Sequence, residues 1–233
     1  MKQILFFLIS CVLLASCDYT TGSGNIITQN RSVGNFSGIS VNNSFDVEVK
    51  IGAVTEVRVE ADDNVMKYIV TTVSGNDLRI KVEGMHNINN VHMKVYITTP
   101  ELNSIKASAS SSVKVLDVIK DNTKLHFTAT SSADIEAEVD APEVEAEANS
   151  SGSVTLSGKT KNYTVHVSSS GDIKSSGLLT ENTDAEASSS GSAYVHASVS
   201  LNAKASSSGS IDYRGAASVQ QSVSSSGSVE KKE

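Results

Sequence analysis

Residues 125–139, with the sequence LHFTATSSADIEAEV, alternate between two kinds of side chain. The odd positions are apolar or small, and the even positions are polar. Alternation with a period of two is typical of a β-strand that buries one face. Because the alternation passes through Ser131 without a break, we predict that this serine points inward with its apolar neighbours.

The same arrangement recurs along the second half of the chain. The phrase Ser-Ser-(Gly/Ala/Val) recurs at seven regularly spaced positions, and the first serines of these pairs are Ser111, Ser131, Ser150, Ser169, Ser189, Ser207 and Ser225. The steps between them are 20, 19, 19, 20, 18 and 18 residues. A unit of this length is too short for two strands and a crossover helix. It predicts an all-β fold, namely a β-solenoid with coils of 18–20 residues, each adding about 4.8 Å along the axis.

Two other interpretations of the repeat are low-complexity disorder and an antiparallel β-sandwich with Ser-Gly turns. Regular alternation argues against disorder, and alternation that continues through the glycine argues against the sandwich. Small residues at the centre of each inward set suggest a pinched cross-section. A bulky replacement of an inward serine such as Ser169 is therefore expected to destabilise the fold, and a change at the outward Ser170 is not.

The chain divides into segments of different character. Residues 26–104 are less repetitive, and we expect them to form a β region that covers one end of a repeat domain at residues 105–229. The charged residues 230–233 are expected to discourage strand pairing at the other end. Residues 17–25 are polar and Gly-rich after their first cysteine, so they are predicted to be a flexible tether.

The first 16 residues are predicted to be a signal peptide. Met1-Lys2 supplies a positive start, and the apolar run Ile4–Leu14 is too short to span a bilayer as a helix. The run ends in Leu14-Ala15-Ser16-Cys17, which resembles the bacterial lipobox. The resemblance implies cleavage before Cys17 and lipidation of its thiol, and hence a membrane anchor. The alternative is an ordinary signal peptide with a chance cysteine.

Composition argues against several functions. The net charge is −7, which is unfavourable for a nucleic-acid partner. Serine accounts for 40 residues, and 32 of these lie in the last 130, yet no Gly-x-Ser-x-Gly elbow of a hydrolase occurs. The five histidines (His86, His92, His126, His166 and His196) lack the spacing of metal ligands. We therefore predict no catalytic residues, no metal and no cofactor.

Small hydrogen-bonding residues flank each repeat serine. On the predicted parity they point outward and form a stripe of hydroxyl groups along the axis. The residues before the serine are Ser110, Thr130, Asn149, Ser168, Ser188, Ser206 and Ser224, and the residues after it are Ser112, Ser132, Ser151, Ser170, Ser190, Ser208 and Ser226. The second set is a candidate binding stripe for glycans or other surface polymers. The alternative is that serine merely suits a tight corner of the coil.

The order of motifs after the lipobox resembles a bacterial family. The quoted segments are Val33–Val41 (VGNFSGISV), Phe45–Val49 (FDVEV), Asp63-Asn64-Val65 and Asn76–Ile80 (NDLRI), followed by the Ser-Ser-Gly coils. The family is described as "putative auto-transporter adhesin, head GIN domain", and the resemblance covers roughly residues 33–228. It implies a β-helix-like fold and a place in the bacterial envelope, and it supplies no catalytic residues.

These observations predict a non-enzymatic, lipid-anchored envelope protein of the outer membrane that acts in adhesion or another surface interaction. One alternative is a carbohydrate-active β-helix enzyme, because Asp134 and Asp172 occupy equivalent outward positions two coils apart. Another is a structural or signalling accessory of the envelope. The acidic run Glu136, Glu138, Glu143, Glu145 and Glu147 is expected to be a solvated face, with loose Ca²⁺ binding as the alternative.

Overall fold

The computed structural model of the protein describes residues 20–84 and 88–233. These residues form β1 Thr20–Thr21, β2 Ile26–Arg31, β3 Gly38–Val41, β4 Asp46–Ile51, β5 Glu56–Asp62, α1 Asp63–Met66, β6 Ile69–Ser74, β7 Asp77–Val82, β8 Ile88–Asn89, β9 Met93–Thr99, β10 Ser104–Ala107, β11 Ser112–Lys120, β12 Lys124–Thr130, β13 Asp134–Asn149, β14 Ser153–Val167, β15 Asp172–Ala187, β16 Ser192–His196, β17 Ser200–Ala205, β18 Ser210–Arg214, β19 Ser218–Val223 and β20 Ser228–Lys231. Across the described ranges, no helix has the length and apolar character needed to cross a bilayer.

Each coil of the repeat crosses the molecule twice and so contributes one strand segment to each of two facing sheets. The front sheet stacks β4, β11, the first halves of β13, β14 and β15, and then β16, β18 and β20. The back sheet stacks β3, β10, β12, the second halves of β13, β14 and β15, and then β17 and β19. All these pairs are parallel and join successive coils, which confirms the β-solenoid with about seven turns of about 19 residues. The antiparallel sandwich is wrong for the repeat.

The core lies between the two sheets and consists of columns of equivalent residues. On the front sheet one column is almost entirely β-branched: Val95, Val47, Val113, Ile135, Val154, Ile173, Ala193, Ile211 and Val229. The matching column of the back sheet is Leu78, Ile39, Ile105, Phe127, Ala146, Val165, Ala185, Ala203 and Gln221. Branched side chains suit the pleated surface, and the alanines opposite them let the two sheets approach closely.

The coil turns from the back sheet to the front sheet at the repeat serines, and here the predicted inward direction is wrong. Ser131 and Ser132 both have positive φ, 53° and 62°, and both are exposed. The N–H of Ala133 donates to the carbonyl of Thr130 at 3.2 Å, which closes a four-residue turn. From the inward Ala129 to the inward Ala133 the chain advances four residues, an even number. The alternation therefore passes through the corner unchanged, although the serine between them faces solvent.

A glycine follows the turn in five coils because the previous coil comes very close at this point. The glycines are Gly152, Gly171, Gly191, Gly209 and Gly227, while Ser111 and Ala133 occupy the position in the two earlier coils. A Cβ on Gly171 would lie 2.4 Å from the carbonyl oxygen of Ala148. The predicted pinched corner is thus present, and backbone rather than side chains fills it.

We predict that Gly171→Ala lowers the free energy of unfolding by about 1–3 kcal/mol, because the rigid backbone of Ala148 must move to admit the methyl group. Gly177→Ala is the matched control, since its Cβ would come no closer than 3.5 Å to a neighbouring atom, which is ordinary van der Waals contact. Urea denaturation of both variants measures the difference. Equal midpoints would show that the corner is looser than the structure indicates.

At the opposite corner the inward residues switch between odd and even sequence positions. The last inward residue of the front sheet is Ala141, Pro142 and Glu143 are both exposed, and the first inward residue of the back sheet is Val144. The same interval of three separates the inward Thr160 from Tyr163. At this corner two consecutive residues are exposed, so the alternation of inward and outward side chains is interrupted.

The N-terminal end is covered by antiparallel strands. β9 extends the front sheet below β4, and β5 and β2 follow it in antiparallel order. β7 extends the back sheet below β3 and pairs with β6 in antiparallel order. These strands occupy the open end of the first coil, as expected of the less repetitive segment.

Residues 20–25, which composition predicts to be a flexible tether, are instead held against this end, and we call them the strap. β1 pairs with β8. The N–H of Gly24 donates to the buried carboxylate of Asp62 at 2.6 Å, and the Ser23 hydroxyl donates to Asp63 at 2.6 Å. The side-chain amide of Asn25 also donates to Asp63, and these two hydrogen bonds lower the pKa of Asp63. Residues 17–19 of the predicted tether lie outside the described residues.

The C-terminal end closes with polar residues at inward positions. Gln221 follows Ala203 in its column, and Lys231 follows Tyr213. Both are exposed, and Val223 beside them is 48% exposed. Inward-facing polar residues on a terminal strand oppose pairing with another sheet.

Candidate functional surface

The stacked turns form a straight ridge along one edge of the solenoid. We call the side chains of its six Ser-Ser pairs the serine ridge: Ser131, Ser132, Ser150, Ser151, Ser169, Ser170, Ser189, Ser190, Ser207, Ser208, Ser225 and Ser226. The first residue of every pair has φ between 46° and 53° and the second between 60° and 63°. All twelve residues are exposed, so the hydroxyl groups form two parallel rows with a rise of about 4.8 Å per coil.

The backbone of one turn is hydrogen-bonded to the next. The N–H of Ser151 donates to the carbonyl of Ser169, and the N–H of Ser170 donates to that of Ser189, both at 3.1 Å. A non-glycine residue in the left-handed region costs about 1–2 kcal/mol. The hydrogen bonds between successive turns offset part of this conformational cost in every coil. A small side chain such as that of serine keeps the steric strain low.

The predicted binding stripe is therefore corrected in two ways. Ser132, Ser151, Ser170, Ser190, Ser208 and Ser226 lie on the ridge, but Ser112 does not, because it opens β11 and is in register with Asp134. The repeat serines themselves share the ridge instead of pointing inward, except Ser111, which is buried and accepts a hydrogen bond from the Ser108 N–H at 3.1 Å.

Two turns of the stack carry no Ser-Ser pair and were missed by the sequence pattern. They are Asn43-Ser44 and Ala109-Ser110, both with positive φ. The N–H of Ser44 donates to the carbonyl of Ala109 at 2.8 Å, and the N–H of Ser110 donates to that of Ser131 at 3.0 Å. Ala109-Ser110 lies 22 residues before Ser131-Ser132, so a search for any two small residues at that spacing could have found this turn.

The residues that precede the repeat serines do not belong to the ridge. Six of them lie at the end of the back sheet, where Thr130, Asn149, Ser168, Ser188 and Ser206 are half-buried and Ser224 is exposed. Ser110 is the exception, because it lies in the left-handed Ala109-Ser110 turn. The Ser168 hydroxyl donates to the side-chain oxygen of Asn149 in the neighbouring coil. Part of their hydrogen-bonding capacity is thus used within the fold.

The acidic run is divided by the second corner and partly paired. Glu136 lies on the front sheet 2.8 Å from Lys114, and Glu145 lies on the back sheet 2.6 Å from Lys124 and 3.2 Å from His126. The hydrogen bond from Lys124 lowers the pKa of Glu145. Farther along the same sheet Lys204 lies 2.7 Å from Glu186 and lowers the pKa of that carboxyl.

The other residues considered for catalysis or metal binding do not form a common site in the described part of the chain. Asp134 and Asp172 lie in one outward column with Ser153 between them, so two strand spacings, about 9.6 Å, separate them. Lys174 lies 3.0 Å from Asp172. In residues 20–84 and 88–233 no three His, Cys, Asp or Glu side chains come together as a metal site. His86 and Cys17 lie outside the described residues.

A shallow groove of about 570 Å³ lies at the second corner. Its lining includes Asp140, which pairs with Lys159 at 3.3 Å, and Leu179, which is 58% exposed. The N–H of Thr180 donates to Nδ1 of His196 at 3.4 Å, so this histidine is tied to the corner.

We predict that Ser169→Val and Ser170→Val lower the free energy of unfolding by similar amounts, about 1 kcal/mol or more each. Both positions are left-handed, and a β-branched side chain is strongly disfavoured there. Ser169→Gly and Ser170→Gly should be tolerated, because glycine adopts positive φ without strain. Thermal unfolding of the four variants tests this. Destabilisation of Ser169→Val alone would contradict the exposed position of Ser169 and support the inward position predicted from the sequence.

Acid should weaken the back sheet. The folded pKa values of Glu145 and Glu186 are lowered, so their ion pairs contribute stability above the pKa of the unfolded carboxyls. That contribution is lost as the pH falls through the folded values. The carboxylates are 31% and 44% exposed, so screening keeps the effect small. Lys124→Gln/Lys204→Gln should therefore flatten the pH dependence of unfolding below pH about 5, and an unchanged slope between pH about 3 and 7 would contradict the assignment.

The chain belongs to the family described as "Putative auto-transporter adhesin, head GIN domain", whose model matches residues 35–217. This confirms the resemblance drawn from the motifs. The family assignment supports an adhesin-like surface or envelope protein rather than an enzyme. No curated protein sequence matches the chain.

Solved structures share the fold at low sequence identity. One is described as "a putative adhesin" from Bacteroides fragilis NCTC 9343, with a TM-score of 0.83 and 21% identity over 91% of this chain and 99% of that one. A second is a "putative lipid binding protein" from Parabacteroides distasonis ATCC 8503, with a TM-score of 0.73 and 21% identity over 93% and 100% of the two chains. A third, another "putative adhesin" from the same organism, has a TM-score of 0.66 and 23% identity over 92% and 100%.

Proposed function

We propose that this chain is a non-enzymatic, lipid-anchored protein of the bacterial outer membrane that acts in adhesion or another surface interaction. The observation that carries the proposal is the solenoid itself, whose stacked coils present a repetitive serine ridge and largely polar outward columns. Repetition supplies many equivalent contacts, whereas catalysis needs one unique set of groups. Family membership supports the same conclusion.

The position of the strap determines how far the predicted lipid anchor can lie from the solenoid. Only Asp18 and Tyr19 separate the predicted lipidation site Cys17 from β1. Three residue steps span at most about 10 Å, so a lipid on Cys17 would hold the N-terminal end of the solenoid close to the membrane. The later coils would then lie farthest from the bilayer, where they can meet external ligands.

Lipidation is tested by Cys17→Ser in cells that produce the full chain. We expect loss of fatty-acid labelling and transfer of the protein from the membrane to the soluble fraction, because acyl chains supply the apolar area that holds it there. Cys11→Ser is the matched control, since Cys11 lies within the predicted signal peptide. Membrane partitioning that survives Cys17→Ser would refute the anchor.

The enzymatic alternative has less support. The separation of Asp134 and Asp172, about 9.6 Å by strand spacing, is far beyond that of a retaining glycosidase pair and at the limit for an inverting one. A polysaccharide incubated with the protein should therefore release no reducing sugar.

A further inference from the structure

The last four coils carry a concave polar surface that differs from the rest of the back sheet. We call it the amide face and define it by the outward residues of two neighbouring columns: Asn162, Thr164, Asn182, Asp184, Ser200, Asn202, Ser218 and Gln220. These residues line a depression of about 500 Å³. Nearer the N-terminus the same columns contain Lys124, His126, Glu143 and Glu145. The columns thus change from charged to almost neutral side chains along the axis.

Three of the four carboxamides of the amide face, those of Asn162, Asn182 and Asn202, are hydrogen-bonded to side chains of neighbouring coils. Nδ2 of Asn182 donates to Oδ1 of Asn162 at 3.1 Å, and the Ser200 hydroxyl donates to Oδ1 of Asn182 at 2.8 Å. In the next column Nδ2 of Asn202 donates to Asp184 at 3.1 Å. A side-chain amide has two N–H donors and two acceptor lone pairs, so each of these contacts leaves capacity for a ligand. Groups fixed in this way lose little entropy when a ligand binds.

We infer that the amide face binds an uncharged, hydroxyl-rich polymer, that is, a neutral glycan. A sugar hydroxyl both donates and accepts a hydrogen bond, and rows of carboxamides and hydroxyls offer both functions in alternation. An anionic polymer finds no cationic partner here, since Asp184 is the single ionised group among the eight residues. The apolar side chains of Tyr163 and Leu201 point into the core and are each 1% exposed. They therefore offer no apolar surface on which an acyl chain could bind.

The amide face fits a ligand better than the serine ridge does. The ridge is the exposed outer edge of a stack of turns, whereas the amide face lines an open depression of about 500 Å³ along which a glycan chain can lie. Its eight defining residues include no aromatic ring on which a sugar could stack, so single contacts are weak. Multiple copies of an anchored protein and of a repeating glycan supply avidity.

The inference rests on the proposed surface function and is tested with the full chain in detergent solution. The protein is passed over immobilised dextran, mannan and galactan as neutral polysaccharides and over heparin as a charged one. We expect retention on at least one neutral polysaccharide and at least a tenfold loss of apparent affinity for Asn182→Ala/Asn202→Ala. Gln29→Ala/Asn30→Ala is the matched control, because it removes two exposed amides from β2 at the other end of the molecule.

Circular dichroism and melting establish that both double variants are folded. Retention on heparin alone, or on none of the polysaccharides, would overturn the inference. So would unchanged binding by Asn182→Ala/Asn202→Ala, or loss of binding only in the ridge variant Ser151→Lys/Ser170→Lys/Ser190→Lys. These outcomes leave the anchor untouched, because membrane partitioning of Cys17→Ser is measured separately.

Discussion

The structure depends on the close approach of successive coils at the serine corner. A Cβ on Gly152 would lie 2.3 Å from the carbonyl oxygen of Ala129, so the backbone itself determines how near one coil lies to the next. The two left-handed residues before the glycine complete the turn and bond to the next coil, as in Ser151 to Ser169 at 3.1 Å. Each coil therefore repeats the geometry of the one before it, and the two sheets remain in register.

The solenoid gains its core from columns rather than from a cluster of large side chains. Val154 and Ile173 are neighbours on the front sheet, and Val165 and Ala185 are neighbours on the back sheet. Such stacking buries small and medium side chains efficiently but leaves both ends open. Antiparallel strands cover the N-terminal end, and Gln221 and Lys231 make the last coil polar. The same construction frees the outward columns to vary, because they do not determine the packing.

That freedom is the physical basis of the proposed function. The outward columns of the back sheet are occupied by ion pairs such as Lys124 with Glu145 in the earlier coils and by amides such as Asn182 and Asn202 in the later ones. The backbone beneath them is unchanged. A surface of this kind can acquire or change a ligand by substitution within a column, without cost to the fold.

The sequence by itself determined the all-β class, the coil length and the inward residues of both sheets, because alternation and a step of 18–20 residues are local and repeated. It predicted the pinched corner from Gly171 and its equivalents. It assigned the wrong direction to Ser131 and the other exposed serines, because a turn that uses an even number of residues leaves the alternation intact. Only the tertiary structure showed that Ser112 belongs to β11, that the strap is bound by Asp62, and that Asn162, Asn182 and Asn202 lie together. The placement of Ser112 and of the asparagines follows from the stacking register, which sets residues about 20 positions apart at a distance of about 4.8 Å. The strap depends on a contact between Gly24 and Asp62, which are 38 residues apart. Contacts between residues so far apart leave no trace in any short stretch of sequence.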